Sequence, residues 1–300
     1  MREIRIGTRG SRLALIQVDL LEAALKEKYP DIKIKRVIIH TVADKDQNTP
    51  LVDFKEQGVF AKELERALLN NEIDIAVHSA KDMSVRIPEG LVIAGTLKRA
   101  DVRDVLVYRK EFGVSLNDIN KTLKIGTDSP RRVSQLENLY PLFSCESIRG
   151  NVPTRLDKVR NGEYDGALLA VAGLERLGLL EDEDFYYHFF KEEEILPAGG
   201  QAIIALETRT DDYVALIVRA ISDDTAYAEL KVEQQILKNL NAGCHEPIAV
   251  RAKVTGDDVT IFMAVANIMD GGKKSVIRRN SIRGKLADWE RLAEEVSKDF

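Results

Sequence analysis

Three hundred residues exceed what one hydrophobic core ordinarily serves, so the chain is expected to divide into two or three domains. A hydrophobic share of 44% beside 31% charged residues predicts a soluble globular protein, and a formal net charge of −5 argues against a general nucleic-acid binder. Two cysteines make no disulfide framework and fit a reducing cytoplasm; "MREIRIGT" is no signal peptide, and the longest mostly apolar run, "GALLAVAGL" at 166–174, is too short to cross a bilayer.

The chain opens in a strand, "IRIGT", and turns through "RGS" into an amphipathic helix with apolar residues at Leu13, Ile16, Leu20, Leu21 and Ala24. A second helix, "VFAKELERALL", leads into "NNEIDIAVHSAKD" at 70–82, where an aspartate enters a buried strand. The pattern then returns. "LKIGTDSPRR" at 123–132 echoes "IRIGTRGSR" at 4–12: a β-rich run, Gly-Thr, a small-residue turn with arginine, then a helix with Ser129 as N-cap and Pro130 first. After the helix "VPTRLDKVR", "NGEYDGALLAVAG" at 161–173 echoes the segment at 70–82. Two similar α/β domains with mainly parallel sheets follow, over 1–99 and 103–195, flanking a ligand cleft. "ILPAGGQAIIALETR" at 195–209 is a return crossing whose strand rejoins the first domain, which thereby includes 199–218. From 222 the pattern changes to a helix ending at Leu240, three alternating runs ("IAVRAKV", "VTIFMAVANI", "SVIRRNSIRG") and a helix at 286–298. That predicts a small α+β domain over 222–300, with Cys244 of "NAGCHEP" on the loop into its first strand.

Cations crowd the predicted strand ends: Arg9, Arg12, Lys81, Arg131, Arg132, Arg149 and Arg155. With two helix N-termini after Gly-Thr, such a cleft suits a ligand bearing several carboxylates or phosphates. No P-loop or GxGxxG is present, so a nucleotide is not indicated, and the four histidines show no metal-ligand spacing. Asp82, beside Lys81, is either structural or the one acid among these cations. Cys145 falls in a predicted strand and is expected to pack; Cys244 is either a small apolar residue or a reactive thiol.

Eight ordered stretches settle these alternatives by resemblance: "IGTRGSRLAL", "FAKELERALL", "DIAVHSAKDM", "IGTDSPRR", "IRGNVPTRL", "LAVAGLERLGL", "LPAGGQ" and "AGCHEPIA". Over nearly its full length the chain resembles the hydroxymethylbilane synthase (porphobilinogen deaminase) family. The resemblance implies two cleft-forming domains akin to type II periplasmic binding proteins, plus a small α+β domain. It implies a cytoplasmic, monomeric transferase of heme and tetrapyrrole biosynthesis, which condenses four porphobilinogen molecules onto a covalent dipyrromethane primer and releases hydroxymethylbilane. Cys244 would carry that cofactor by a thioether, and Asp82 would be the catalytic carboxylate. Arg9, Ser11, Lys81, Thr127, Ser129, Arg131, Arg132, Arg149, Gly150, Arg155 and Arg176 match positions that bind cofactor or substrate carboxylates.

The chain departs from the family pattern at Asp53 and Gln57, where lysines are usual (Lys55 is present but displaced), and at Asp128, where serine is usual. Asp128 is expected to weaken anion binding by repulsion; the opposing reading has it orient Arg131 or Arg132. The competing function is a non-catalytic anion-binding protein built on the same cleft, which would need neither Cys244 nor Asp82.

Overall fold

The computed structural model describes residues 3–40, 61–113, 115–116, 121–242, 246–268, 275–298 and 300. Cys244 and the segment with Asp53, Lys55 and Gln57 lie outside the described residues. Two five-stranded α/β sheets and one three-stranded sheet with its own helices make up the architecture, the class that the sequence predicts. Two of the four pairings in each five-stranded sheet are antiparallel, however, where mainly parallel sheets are expected, because a strand returning from elsewhere in the chain enters each.

The first sheet holds β1 (Ile4–Thr8), β2 (Ile34–Ile38), β3 (Ile75–Ser79), β4 (Leu91–Thr96) and β10 (Ile204–Arg209), in the order β2-β1-β3-β10-β4. β1 runs parallel to β2 and β3, whereas β10 runs antiparallel to both β3 and β4. Ile4 and Ile6 alternate to one face of β1 and meet Val18, Leu21 and Leu25 of α1 (Arg12–Lys28). The apolar stripe of α1 differs from the one read in the sequence. Ala14, Gln17, Val18, Leu21 and Leu25 are buried, while Leu20 is 43% exposed. A glutamine at the centre of the buried face disguised the period; its Nε2 donates to Ser79 Oγ at 2.8 Å, which removes the penalty of burying the amide. The opposite face of the sheet is covered by α2 (Lys62–Leu69) through Leu64 and Leu68.

The second sheet comprises β5 (Asp104–Arg109), β6 (Leu123–Gly126), β7 (Phe143–Glu146), β8 (Gly166–Ala170) and β9 (Phe185–Phe189). Its order, β7-β6-β8-β5-β9, places an antiparallel strand fourth, as in the first sheet. Helices α3 (Pro130–Leu139), α4 (Val152–Arg160) and α5 (Val171–Leu177) pack on it. The internal echo extends to individual hydrogen bonds. Asp74, before β3, accepts the Arg5 amide of β1 at 2.9 Å, and Asp165, before β8, accepts the Lys124 amide of β6 at 2.8 Å. Each carboxylate also receives an arginine from the end of the antiparallel strand, Arg209 or Arg109, both at 2.9 Å.

After α6 (Tyr213–Ile221), α7 (Asp224–Asn239) and α8 (Trp289–Ser297) cover one face of a meander of β11 (Ile248–Thr255), β12 (Asp258–Ile268) and β13 (Ser275–Lys285). Glu233 of α7, fully buried, ties this part to the rest. It accepts Arg99 Nη1 at 2.7 Å, the Gly200 amide at 2.6 Å and the Ala252 amide at 2.9 Å.

Candidate active site

β3 ends at Ser79 in a single 3-10 turn, Ala80–Asp82, that presents Lys81 and Asp82. The turn is braced from behind. Ala80 donates its amide to the Ile203 carbonyl at 3.0 Å, and Gly200 approaches so closely that a Cβ there would lie 2.9 Å from the Lys81 nitrogen. Only glycine fits, because Gly200 also sits at φ +75°. Asp82 shares a cavity of about 90 Å³ with Arg9, Ser11, Gln17, His78 and Ser79. Ser11 caps α1, its Oγ accepting the Ala14 amide at 3.3 Å.

The second sheet contributes most of the positive charge. Arg131 and Arg132, in the first turn of α3, are both buried and both paired with fully buried Asp104, at 2.8 and 2.7 Å. Arg131 Nη1 also donates to the Leu196 carbonyl (2.7 Å), and Gln201 Nε2 donates to Asp104 Oδ1 (2.9 Å). Burial would raise the Asp104 carboxyl, but Arg131, Arg132 and Gln201 outweigh it and hold it well below the usual carboxylate range. Thr127 Oγ1 accepts the Ser129 amide at 3.3 Å; Ser129 occupies the N-cap of α3 without a side-chain capping bond.

Arg155 Nε donates to the Gly150 carbonyl at 2.9 Å, and its guanidinium stands 3.7 Å from Asp128. Asp128 also accepts the Ser147 hydroxyl. Neither Arg131 nor Arg132 is its partner; among the arginines named from the sequence, Arg155 is. Arg176, on α5, donates to the Ala202 carbonyl at 2.7 Å.

Electrostatics join the two sides. Burial first, then the charges of Arg132 and Arg131, lower the Lys81 ammonium to about 8, against the pull of Asp82 and Asp104. Burial lowers the Arg155 guanidinium as well, and its charged neighbours are Asp128, Arg132, Arg149 and, from the first sheet, Asp82. Lys81 and Asp82 of the first sheet therefore lie within electrostatic reach of the second, Lys81 of Arg131 and Arg132 and Asp82 of Arg155, while Arg9 and Ser11 line the cavity with Asp82. Asp104 and Asp128 are each already paired with arginines there, whereas Asp82 faces the cavity.

Two family descriptions match the chain: "Porphobilinogen deaminase, dipyromethane cofactor binding domain" over residues 4–216, and "Porphobilinogen deaminase, C-terminal domain" over 227–300. The chain belongs to the porphobilinogen deaminase family. It is 37% identical over 296 residues to a porphobilinogen deaminase from Clostridium novyi, covering 98% of this chain and 97% of that protein. A probable porphobilinogen deaminase from Methanocella arvoryzae is 38% identical, covering 98% and 93% of the two chains. Among solved structures, a probable amino-acid ABC transporter extracellular-binding protein from Bacillus subtilis is similar at a TM-score of 0.46 and 10% identity, over 74% of this chain and 90% of that one.

The residues in place suit the dipyrromethane that the family's name for residues 4–216 specifies. Arg131 Nε is buried with no hydrogen-bond partner among the described residues, an orphan donor that a carboxylate would satisfy. The half-buried Ser129 hydroxyl makes no capping bond to its helix. Sequence reasoning missed Asp104 and Gln17. No motif marks either, although Gln201, the partner of Asp104, closes the "LPAGGQ" stretch.

Proposed function

We infer that this chain is a hydroxymethylbilane synthase: it joins four porphobilinogen molecules in turn onto a covalent dipyrromethane primer, with loss of one ammonia each time, and releases hydroxymethylbilane with water. The observation that carries this reading is that Asp82, the one carboxylate lining the cavity among the described residues, lies within electrostatic reach of Lys81 from its own sheet and Arg155 from the other. The primer, tethered at Cys244, supplies a fixed growing end and a nucleophilic pyrrole carbon. The chain's own residues do the rest. The cations of the second sheet hold pyrrole carboxylates, with Arg131 Nε and the Ser129 hydroxyl as ready donors. Asp82 faces positive charge as it develops on the ring nitrogens, stabilises it, and moves protons at its carboxylate oxygens. The Gly200 brace fixes the height of the Ala80–Asp82 turn.

We further take the chain as three domains, 1–99 with 199–218, 103–195 and 222–300, acting as a monomer in the cytoplasm. No helix of the described residues is long and apolar enough to cross a membrane. The non-catalytic reading accounts for the arginines but gives Asp82 no task, and family membership disfavours it.

Intact mass and peptide mapping test the assignment. Active protein should carry two pyrrole units on the peptide containing Cys244, and Cys244→Ser should be inactive. An unmodified Cys244, or an adduct at Cys145, would overturn it. Cys145 is a poor candidate on physical grounds, since burial and then Glu137 push its thiol up to about 12. Asp82→Asn should fold and keep the adduct while turnover falls by about 10²–10⁴-fold.

A further inference from the structure

Behind the Asp82 cavity lies a buried acid–imidazole cluster to which the reaction as described gives no part. His78, on β3 and four residues before Asp82, lines the same cavity and is 6% exposed. Its Nε2 is 2.9 Å from Glu207 Oε2 on β10, and Glu207 is 0% exposed. With Glu207 ionised its oxygen only accepts, which puts the hydrogen of the neutral ring on Nε2 and leaves Nδ1 the basic lone pair. Glu207 Oε1 is buried with no hydrogen-bond partner among the described residues, which costs stability. Glu65, buried on α2, belongs to the same electrostatic unit. Burial and then the Glu207 charge push its carboxyl up to about 7, Glu63 adds to the rise, and His78 and Lys62 oppose it. The other charged groups facing the cavity are Arg9 and Asp82. Three titratable groups from β3, β10 and α2 thus sit together where a proton must be disposed of four times per product.

We propose that His78, clamped by Glu207, is the proton-holding partner of Asp82, receiving at Nδ1 the proton that Asp82 takes up in each condensation. The inference rests on Asp82 being the catalytic carboxylate. The proton leaves a carboxyl oxygen of Asp82 and restores its negative charge for the next addition. It crosses the cavity through water, for which about 90 Å³ is ample room, and binds the Nδ1 lone pair. The imidazolium so formed faces the Glu207 carboxylate. The ammonia liberated once per condensation then takes the proton away as ammonium. No bond to carbon changes in this transfer, and nothing is oxidised or reduced. In this scheme His78 acts through Asp82 rather than on the substrate.

A nitrogen-detected NMR titration of the cofactor-bearing protein tests this, with His78 assigned among the four histidines by replacing the other three singly. Asp82→Asn should move the His78 titration to lower pH by about one unit, because a facing anion is lost. In kinetics, wild-type kcat should fall on the acid side as His78 charges. Glu207→Gln should carry that limb to lower pH, and His78→Gln should abolish it while lowering kcat by about 10²-fold. A His78 titration indifferent to Asp82→Asn, or an acid limb unchanged in His78→Gln, overturns the proposal. Should His78→Gln not fold, the titrations of Asp82→Asn and Glu207→Gln decide alone. Full turnover by Asp82→Asn would instead remove the Asp82 assignment itself, so the two failures are told apart.

Discussion

Lys81 stands in the cleft with its ammonium lowered to about 8 from an ordinary 10.5, by burial first and by Arg132 and Arg131 next. Below pH 8 it is charged in the folded and unfolded chain alike, and burying that charge opposes folding. As the pH rises from about 8 towards 10.5 the folded chain sheds the proton first, so stability increases across that window. Anion binding runs the other way. The KM for porphobilinogen should climb above pH 8 in the wild type, whereas Lys81→Gln should show a raised KM at pH 7 and no further climb; a wild-type KM flat from pH 7 to 9 would contradict this. Asp128 gives a second test. The sequence alone argues for repulsion of substrate, but the carboxylate stands 3.7 Å from Arg155, a guanidinium already bound to the Gly150 carbonyl. Asp128→Ser should therefore raise KM at low salt by loosening Arg155, and the rise should shrink as salt screens the pair. The charged residues of the site were visible in the sequence as a crowd. Which carboxylate steadies which arginine was not, because Asp104, Arg131 and Arg132 meet through tertiary folding and no local pattern encodes their meeting.

The strand-to-turn junctions were legible at the level of elements, since Gly-Thr followed by a small-residue turn and a helical period occurs twice and marks β1–α1 and β6–α3. The facing of α1 was not, because the buried Gln17 breaks the apolar count and finds its partner, Ser79, 62 positions away. The Ala80–Asp82 turn depends on a similarly distant contact. Gly200→Ala would force a side chain into φ +75° and place its Cβ 2.9 Å from the Lys81 nitrogen. Loss of stability of about 1–3 kcal/mol is expected, together with a fall in turnover larger than the unfolded fraction explains. Gly178→Ala is the control: its φ is +67° but no atom lies within 4 Å, so it should lose about 1 kcal/mol and keep turnover per folded molecule. Urea titrations read beside single-turnover rates separate the two; equal losses of turnover in both variants would remove the turn from the mechanism.

Across the whole molecule, Glu233 concentrates contacts that nothing in its own helix predicts, joining Arg99, the amide of Gly200 and the amide of β11. Arg99 also pairs with Glu229 at 2.9 Å, but Glu233→Ala removes both of its hydrogen bonds to Glu233 and leaves two amides unpaired. It should cost about 3–5 kcal/mol, read as a lower denaturant midpoint, and a midpoint within error of wild type would show that Glu229 suffices. The crossed strands have a consequence for how the chain comes into being. β3 and β4 share no ladder: β10 lies between them, and it is made only after every strand of the second sheet. At about 5–20 residues per second of synthesis, the interval between Thr96 and Ile204 leaves two raw strand edges open for roughly 5–20 s. The middle of the chain has all five of its strands by Phe189 and can close while the beginning waits. The first part to leave the ribosome is therefore the later to mature, and a nascent chain stalled before residue 204 should bind holding chaperones through its earliest strands.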